Sequence, residues 1–259
     1  MDWYLYPAVI LAGLACGFIN TLAGSGSLIT LPLLIFLGLP ATVANGTNRV
    51  AILLQNVVGV RGFQSHGLLN LRQALWLAVP AALGSIVGAR IAVDLNEATM
   101  QRVIGIIMVI MLFVMLINPK RWLQGRPGQI RERPGVLELG LFFLIGMYGG
   151  FIQVGVGIFL LAGLVLGAGF DLVRANAIKV LIILIFTVPA LIVFLMNGQV
   201  NWGIGLILAI GNMAGAWLGA QFASRPGAAI WVHRMLVAVV VVSSAKLLGL
   251  FDVVARAMG

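Results

Sequence analysis

The chain has 259 residues, 61% of them hydrophobic and only 9% charged, with a mean hydropathy of +1.11. A soluble domain is about 45–50% apolar and about 25% charged, so this chain cannot clothe a water-facing surface and reads as an all-α, polytopic membrane protein. Its net charge of +9 does not point to nucleic acid, because membrane proteins collect Lys and Arg in cytoplasmic loops.

Asp2 stands where a signal peptide would be positive, so the first apolar stretch is read as a retained membrane segment. That segment, 5–38, is broken by Gly24-Ser25-Gly26-Ser27. It amounts to about 51 Å of helix at ~1.5 Å per residue. This is too long for one crossing of a ~30 Å core and too short for two. A helical hairpin with its tip near mid-membrane fits. Spans at 41–61, 70–92 and 98–117 follow. The stretch 118–134 carries Lys120, Arg121, Arg126, Arg131 and Arg133 against Glu132 and reads as a cytoplasmic linker. Beyond it come a second broken segment, 136–169, and spans at 172–196, 201–222 and 229–249.

The two series repeat one another. Gly24 answers to Gly155, Asn45 to Asn176, Gly67-x-x-Asn70 to Gly198-x-x-Asn201, and Gly84-x-x-x-Gly88 to Gly215-x-x-x-Gly219, all at an offset of 131. Before a two-residue gap, "GFIN" at Gly17 answers to "GFIQ" at Gly150. The chain therefore divides into a first transmembrane repeat (1–117), the linker (118–134) and a second repeat (135–259). With the linker inside, the loop holding Asp94 and Glu97 falls outside, and 62–69, flanked by Arg61 and Arg72, falls inside. The uncharged 197–201 loop then falls outside, and the next, with Arg225 and Arg234, inside. Equivalent loops on opposite faces make an inverted-topology repeat, a common plan in secondary transporters. Each repeat is expected to hold one re-entrant hairpin and three transmembrane helices.

Non-helical backbone at membrane depth survives only when buried in protein or lining a polar cavity. After the first tip a new helix starts, and its unpaired N–H groups and positive dipole end attract anions. Asn20, Thr21, Gly24, Ser25, Gly26 and Ser27 are the candidate binding residues there, mirrored by Gln153, Gly155 and Gly157 at the second tip. The spans that follow add Asn45, Thr47, Asn48, Arg49 and Asn56 in one repeat and Asn176, Lys179 and Thr187 in the other. Arg49 lies about 12 Å into its span and Lys179 about 10 Å, at ~1.5 Å per residue, with no acid at hand. A cation at the bilayer centre costs at least ~2.5 kcal/mol and usually marks function; the alternative is snorkelling to an interface. A guanidinium suits an oxyanion through paired N–H bonds, so the substrate is expected to be a small anion.

Other residues carry less. His66 and His233 fall in loops. Trp3, Tyr4, Tyr6, Trp122, Trp202 and Trp231 fall near span ends as interfacial anchors. The Gly-x-x-x-Gly pairs would serve close helix contacts, within the chain or in a homodimer, and Cys16 reads as a packing residue. There is no phosphate-cradling loop, no metal-ligand cluster and no sign of a cofactor. An intramembrane serine enzyme is set aside because no His lies mid-span to act as a base.

These features resemble the sulfite exporter TauE/SafE family, also called the toluene-sulfonate uptake permease family. The resemblance rests on "GFINTLAGSGSLITLPLLIFLGLPATVANGTNRVAILLQNVVG" (17–59), on its weaker copy at 150–187, and on "GSIVGARIA" (84–92). It covers nearly the whole chain and implies movement of sulfite, sulfonates or related small organic anions across the bacterial inner membrane. It also implies a site at 24–27 with Asn45, Thr47, Asn48 and Arg49. The expectation is a secondary transporter, with efflux favoured, that exports a small oxyanion by alternating access. The alternatives are a passive anion channel and an uptake permease for a sulfur-containing or organic anion.

Overall fold

The computed structural model describes residues 5–65, 69, 71–116 and 134–222. The expected span at 229–249, most of the linker, His66, Gly67, Asn70, His233, Arg225, Arg234 and four of the aromatic anchors (Trp3, Tyr4, Trp122, Trp231) lie outside the described residues. The described chain is helical throughout. Its elements are α1 (Leu5–Ala23), α2 (Ser27–Phe36), α3 (Ala41–Ser65), α4 (Leu71–Val93), α5 (Glu97–Leu116) and α6 (Val136–Phe151). They continue with α7 (Val156–Ala162, prolonged by a π-helical turn, Gly163–Gly167), α8 (Leu172–Met196) and α9 (Trp202–Phe222).

Length and apolarity sort these helices. Leu71–Val93, Glu97–Val114, Val173–Met196 and Trp202–Gln221 are long and apolar enough to cross a membrane. Their outward faces are aliphatic and aromatic, as Leu75, Val79, Leu83, Ile106, Ile110, Ile192 and Trp217 show. The apolar stretches beside the tips are shorter: Tyr6–Thr21, Ser27–Phe36, Val136–Phe151 and Val156–Gly167. α3 has 25 residues, about 38 Å at ~1.5 Å per residue. It is less apolar because Asn45, Asn48, Arg49, Gln55 and Asn56 all face inward and are buried.

Both broken segments turn on a glycine in the left-handed region. Gly24 has φ +73° and Gly155, its counterpart, φ +70°. A side chain strains that conformation, whereas glycine takes it freely. Gly38 (φ +91°) and Gly169 (φ +74°), again 131 apart, make the turns into α3 and α8. At the tips the backbones touch, for a Cβ on Gly24 would run into Gly157 and the reverse.

Glycine also sets the helix packing. Gly13 and Gly17 of α1 lie directly on the backbone of α9 at Leu208, Asn212 and Ala216, and Gly211 and Gly215 answer from α9 onto Ile10 and Leu14. The register advances together, so α1 and α9 run parallel. Gly84 and Gly88 of α4 meet Phe143 and Met147 of α6 while Gly146 and Gly150 of α6 meet Ala81 and Ser85, again in parallel. Small residues let backbones approach this closely where lipid supplies no hydrophobic drive for helix association. The Gly-x-x-x-Gly pairs are thus used inside the chain.

The two long polar helices cross in opposite senses. Gly46 and Arg49 meet Phe194, Gly59 meets Val180, and Phe63 clusters with Ala177 and Val180. As α3 advances α8 retreats, so these counterparts run antiparallel. Their N-termini are capped differently. Asp171 accepts from the Val173 and Arg174 N–H groups of α8 (3.1 and 3.0 Å). α3 has Pro40 at the equivalent place, and Glu97 of α5 reaches across instead, accepting from Ala41 N at 2.5 Å and Thr42 N at 3.3 Å.

Candidate functional site

The site begins with four helix ends brought together at the tips. The C-terminal ends of α1 and α6 carry carbonyls without intrahelical partners, and each end carries roughly half a negative charge from the helix dipole. Cations from the opposite repeat cover both. Arg49 of α3 donates from Nη1 to Gly149 O (3.0 Å) and from Nη2 to Gly150 O (2.5 Å). Asn45 Nδ2, one turn earlier, donates to Phe151 O at 2.8 Å. Lys179 of α8 donates to Asn20 O near the end of α1 (3.2 Å) and to Asn176 Oδ1 (2.7 Å). The Arg49 guanidinium also lies 4.5 Å from the Phe194 ring centroid, a favourable cation–π placement.

This geometry changes the part the two cations play. Neither snorkels: both side chains are fully buried. Arg49 Nη1 and Nη2 and the Lys179 ammonium anchor helix ends, while Arg49 Nε is buried without a partner among the described residues and keeps a donor free. Arg49 and Lys179 are the only charged side chains in the buried set among the described residues.

The opposite ends are closed only by backbone turns, Leu28 N on Ser25 O (3.1 Å) and Ile158 N on Gly155 O (3.0 Å) among them. α2 starts at Ser27 behind Gly26, and α7 at Val156 behind Gly155, and neither start receives a side-chain cap. Ser25 and Ser27 are buried at the first of these ends, and Ser25 Oγ has no partner among the described residues. At the second tip Gln153 Nε2 donates to Thr187 Oγ1 at 2.7 Å, leaving Gln153 Oε1 without a partner. Tyr148 pins this tip by donating to Val154 O at 2.6 Å.

Not every expected donor faces the tips. Thr21 donates to Gly17 O in its own helix (2.9 Å), and Asn56 to Ile52 O (2.7 Å). Thr47 Oγ1 accepts from Asn201 N (2.9 Å), so it ties α3 to the loop before α9. Asn48 Oδ1 accepts the Thr30 hydroxyl of α2 at 2.7 Å. The structure adds residues absent from the sequence-based site: Thr30, Gln55 and Asn212 are all buried at these helices. A polar residue in the middle of an otherwise apolar span, as Asn212 is in α9, was the available signal. Cys16, expected to pack, also lies with its Sγ 3.7 Å from Thr30 Oγ1.

Comparison with known proteins agrees with this architecture. The family described as "Sulfite exporter TauE/SafE" matches residues 9–247. The chain is 30% identical to "Probable membrane transporter protein ORF9" of Sinorhizobium sp, over 96% of this chain and 94% of that protein. It is 26% identical to a "Probable membrane transporter protein" of Haemophilus influenzae, over 94% of each. It is also 25% identical to "Probable membrane transporter protein YfcA" of Escherichia coli strain K12, over 94% of this chain and 90% of that protein. No solved structure matches the chain significantly.

Proposed function

The chain belongs to the sulfite exporter TauE/SafE family, and from that premise we propose that this membrane transporter is a secondary carrier exporting a small oxyanion, such as sulfite or an organosulfonate, across the bacterial inner membrane. One electrostatic observation carries the reading: the negative helix ends at the tips are covered by fixed cations, while the positive ends carry no side-chain cap. The half-charges of the four ends, roughly +0.5 or −0.5 each, nearly cancel. The charges of Arg49 and Lys179 then remain, with no buried carboxylate among the described residues to balance them. In a low-dielectric interior such an excess is costly alone and is relieved by a mobile anion.

The guest sits at the first tip, where Ser25 and Ser27 supply O–H donors and the positive dipole end of α2 faces it, the Leu28 and Ile29 N–H groups being already bonded to Ser25 O and Gly26 O. Glycine there lets it approach the backbone. The two repeats, 1–117 and 135–259, lie in opposite orientations in the membrane and are joined by 118–134 on the cytoplasmic side. Packing suggests which bodies move: α1, α3 and α9 form one bundle and α4, α6 and α8 the other, so each bundle borrows one long helix from the opposite repeat. Arg49 and Lys179 bridge these bundles at the tips. Rocking of one against the other would expose the site alternately to the two faces.

Flux of sulfite and of simple sulfonates into proteoliposomes under an imposed potential tests the reading. Flux that saturates at millimolar anion supports a carrier, and a large non-saturating current supports a channel. No flux with any small anion overturns the proposal.

A further inference from the structure

The two tips are alike in backbone and unlike in side chains. Under the repeat correspondence Ser25, Ser27, Thr30 and Asn212 answer to Val156, Ile158, Leu161 and Ala81. The correspondence holds in space: Gly13 packs on Asn212 as its counterpart Gly146 packs on Ala81. One copy of this fold closes the place with Val, Ile, Leu and Ala, and the other lines it with hydroxyls and an amide. Folding does not require the polarity, since the apolar copy reaches the same backbone. Unpaired polar groups in an apolar interior are costly. Among the described residues, Gln153 Oε1 and Arg49 Nε are unpaired by the second tip. The first side adds the Ser25 hydroxyl and the Asn212 amide where its counterpart is apolar, so keeping these two points to a ligand there.

Asn212 is the sharpest case. It is fully buried in α9, and neither its side-chain oxygen nor its nitrogen has a partner among the described residues. The group its amide adjoins is the Cys16 thiol of α1, within reach of no more than a weak sulfur hydrogen bond, and the amide oxygen lies beside Gly13. Cys16 in turn lies against Gly26, where its carbonyl and thiol leave no room for a Cβ, and Gly26 is the residue just before α2. Ser25, with its own unpartnered hydroxyl, is the residue before. The start of α2 therefore has the unpartnered Ser25 hydroxyl at it, and Asn212, from the other repeat, is joined to it through Cys16.

We propose that the anion is held off the axis relating the repeats, at the start of α2, with Asn212 Nδ2 donating to it from the second repeat and Ser25 Oγ from the first. The second tip, with Val156, Ile158, Leu161 and Ala81 at the four corresponding places, lacks this pair of donors and holds no guest. Asn212 is thus a specificity-determining residue: its N–H favours an acceptor-rich oxyanion, whereas an apolar residue there would leave one face of the guest unsatisfied. The inference rests on the transport reading above and narrows it to one tip.

The test is thermal stabilisation of the detergent-purified protein by sulfite, sulfate and methanesulfonate, read as the half-saturating anion concentration. Asn212→Asp keeps the shape but loses the N–H donor and adds a like charge, and Asn212→Ala installs what the other repeat carries at Ala81. Both are expected to raise half-saturation at least tenfold, while Ile158→Ala at the second tip leaves it within twofold. If Asn212→Asp does not fold, Asn212→Ala decides alone. Wild-type half-saturation in folded Asn212→Ala overturns the one-sided site and leaves the anion reading standing. A wild-type protein unresponsive to every anion tried overturns both.

Discussion

Replacing Arg49 separates an anchor from a mere ligand, because the two roles predict opposite signs. Arg49→Met keeps the length and apolar stem but deletes two bonds from a charged donor, at 3.0 Å to Gly149 O and 2.5 Å to Gly150 O. Bonds to charged groups contribute about 1.5–3 kcal/mol each in soluble proteins. Interhelical pairs in a membrane protein average about 0.6 kcal/mol, because the unfolded segments find other partners. The two bonds are therefore bracketed between about 1 and about 6 kcal/mol. Removing a desolvated charge returns part of this, while losing the cation at the α6 dipole end subtracts up to ~2 kcal/mol. The expected net effect is a destabilisation of about 2–4 kcal/mol, with Arg49→Lys intermediate because one ammonium lacks the planar fork that spans both carbonyls. The assay is reversible unfolding in mixed micelles followed by tryptophan fluorescence. A guanidinium that only awaited a guest would be a buried, uncompensated charge, and its removal would stabilise the protein. Arg49→Met at or above wild-type stability would refute the capping role.

Three further outcomes are expected. Gly88→Val or Gly215→Val drives a side chain into the backbone of the facing helix, at Met147 or Leu14, and should abolish the folded peak in size-exclusion chromatography. Gly140→Ala, with nothing within 4 Å, should be neutral or slightly stabilising; equal behaviour of all three would discard the close-packing argument. Glu97→Ala removes the cap that α5 supplies to α3, worth about 0.5–2 kcal/mol. Hydrogen exchange should quicken at Ala41 and Thr42 and stay unchanged at the start of α8, which Asp171 caps within its own helix. Cysteines at 65 and 197, in a chain whose Cys16 is buried, should label from opposite membrane faces. Position 199 already bonds to Val93 O at 3.0 Å, on the face where α3 begins, whereas Ser65 ends α3. Labelling of both from one side would contradict the assigned topology.

Among the described residues, the sequence alone determined where the helices run and where they break. Composition excluded a water-facing surface, and the stretch from Leu5 to Gly38 was too long for one crossing and too short for two. The recurrence of Gly24 at Gly155 marked turns that only glycine tolerates cheaply. Those are local matters, set by neighbouring residues, and the observed α2 begins at Ser27 as the tip pattern implies. Only the tertiary structure decided what the polar residues do. That Arg49 reaches carbonyls at Gly149 and Gly150, about a hundred positions away, depends on α3 and α8 crossing antiparallel, which no spacing along one helix encodes. The same holds for Asn212, a lone polar residue in an apolar span, whose bare amide gains meaning only when α1 brings Cys16 beside it and, through Cys16, joins it to the start of α2. Helix propensity and hydrophobic length act over neighbouring residues, whereas hydrogen-bond satisfaction in a medium without water is settled between distant ones.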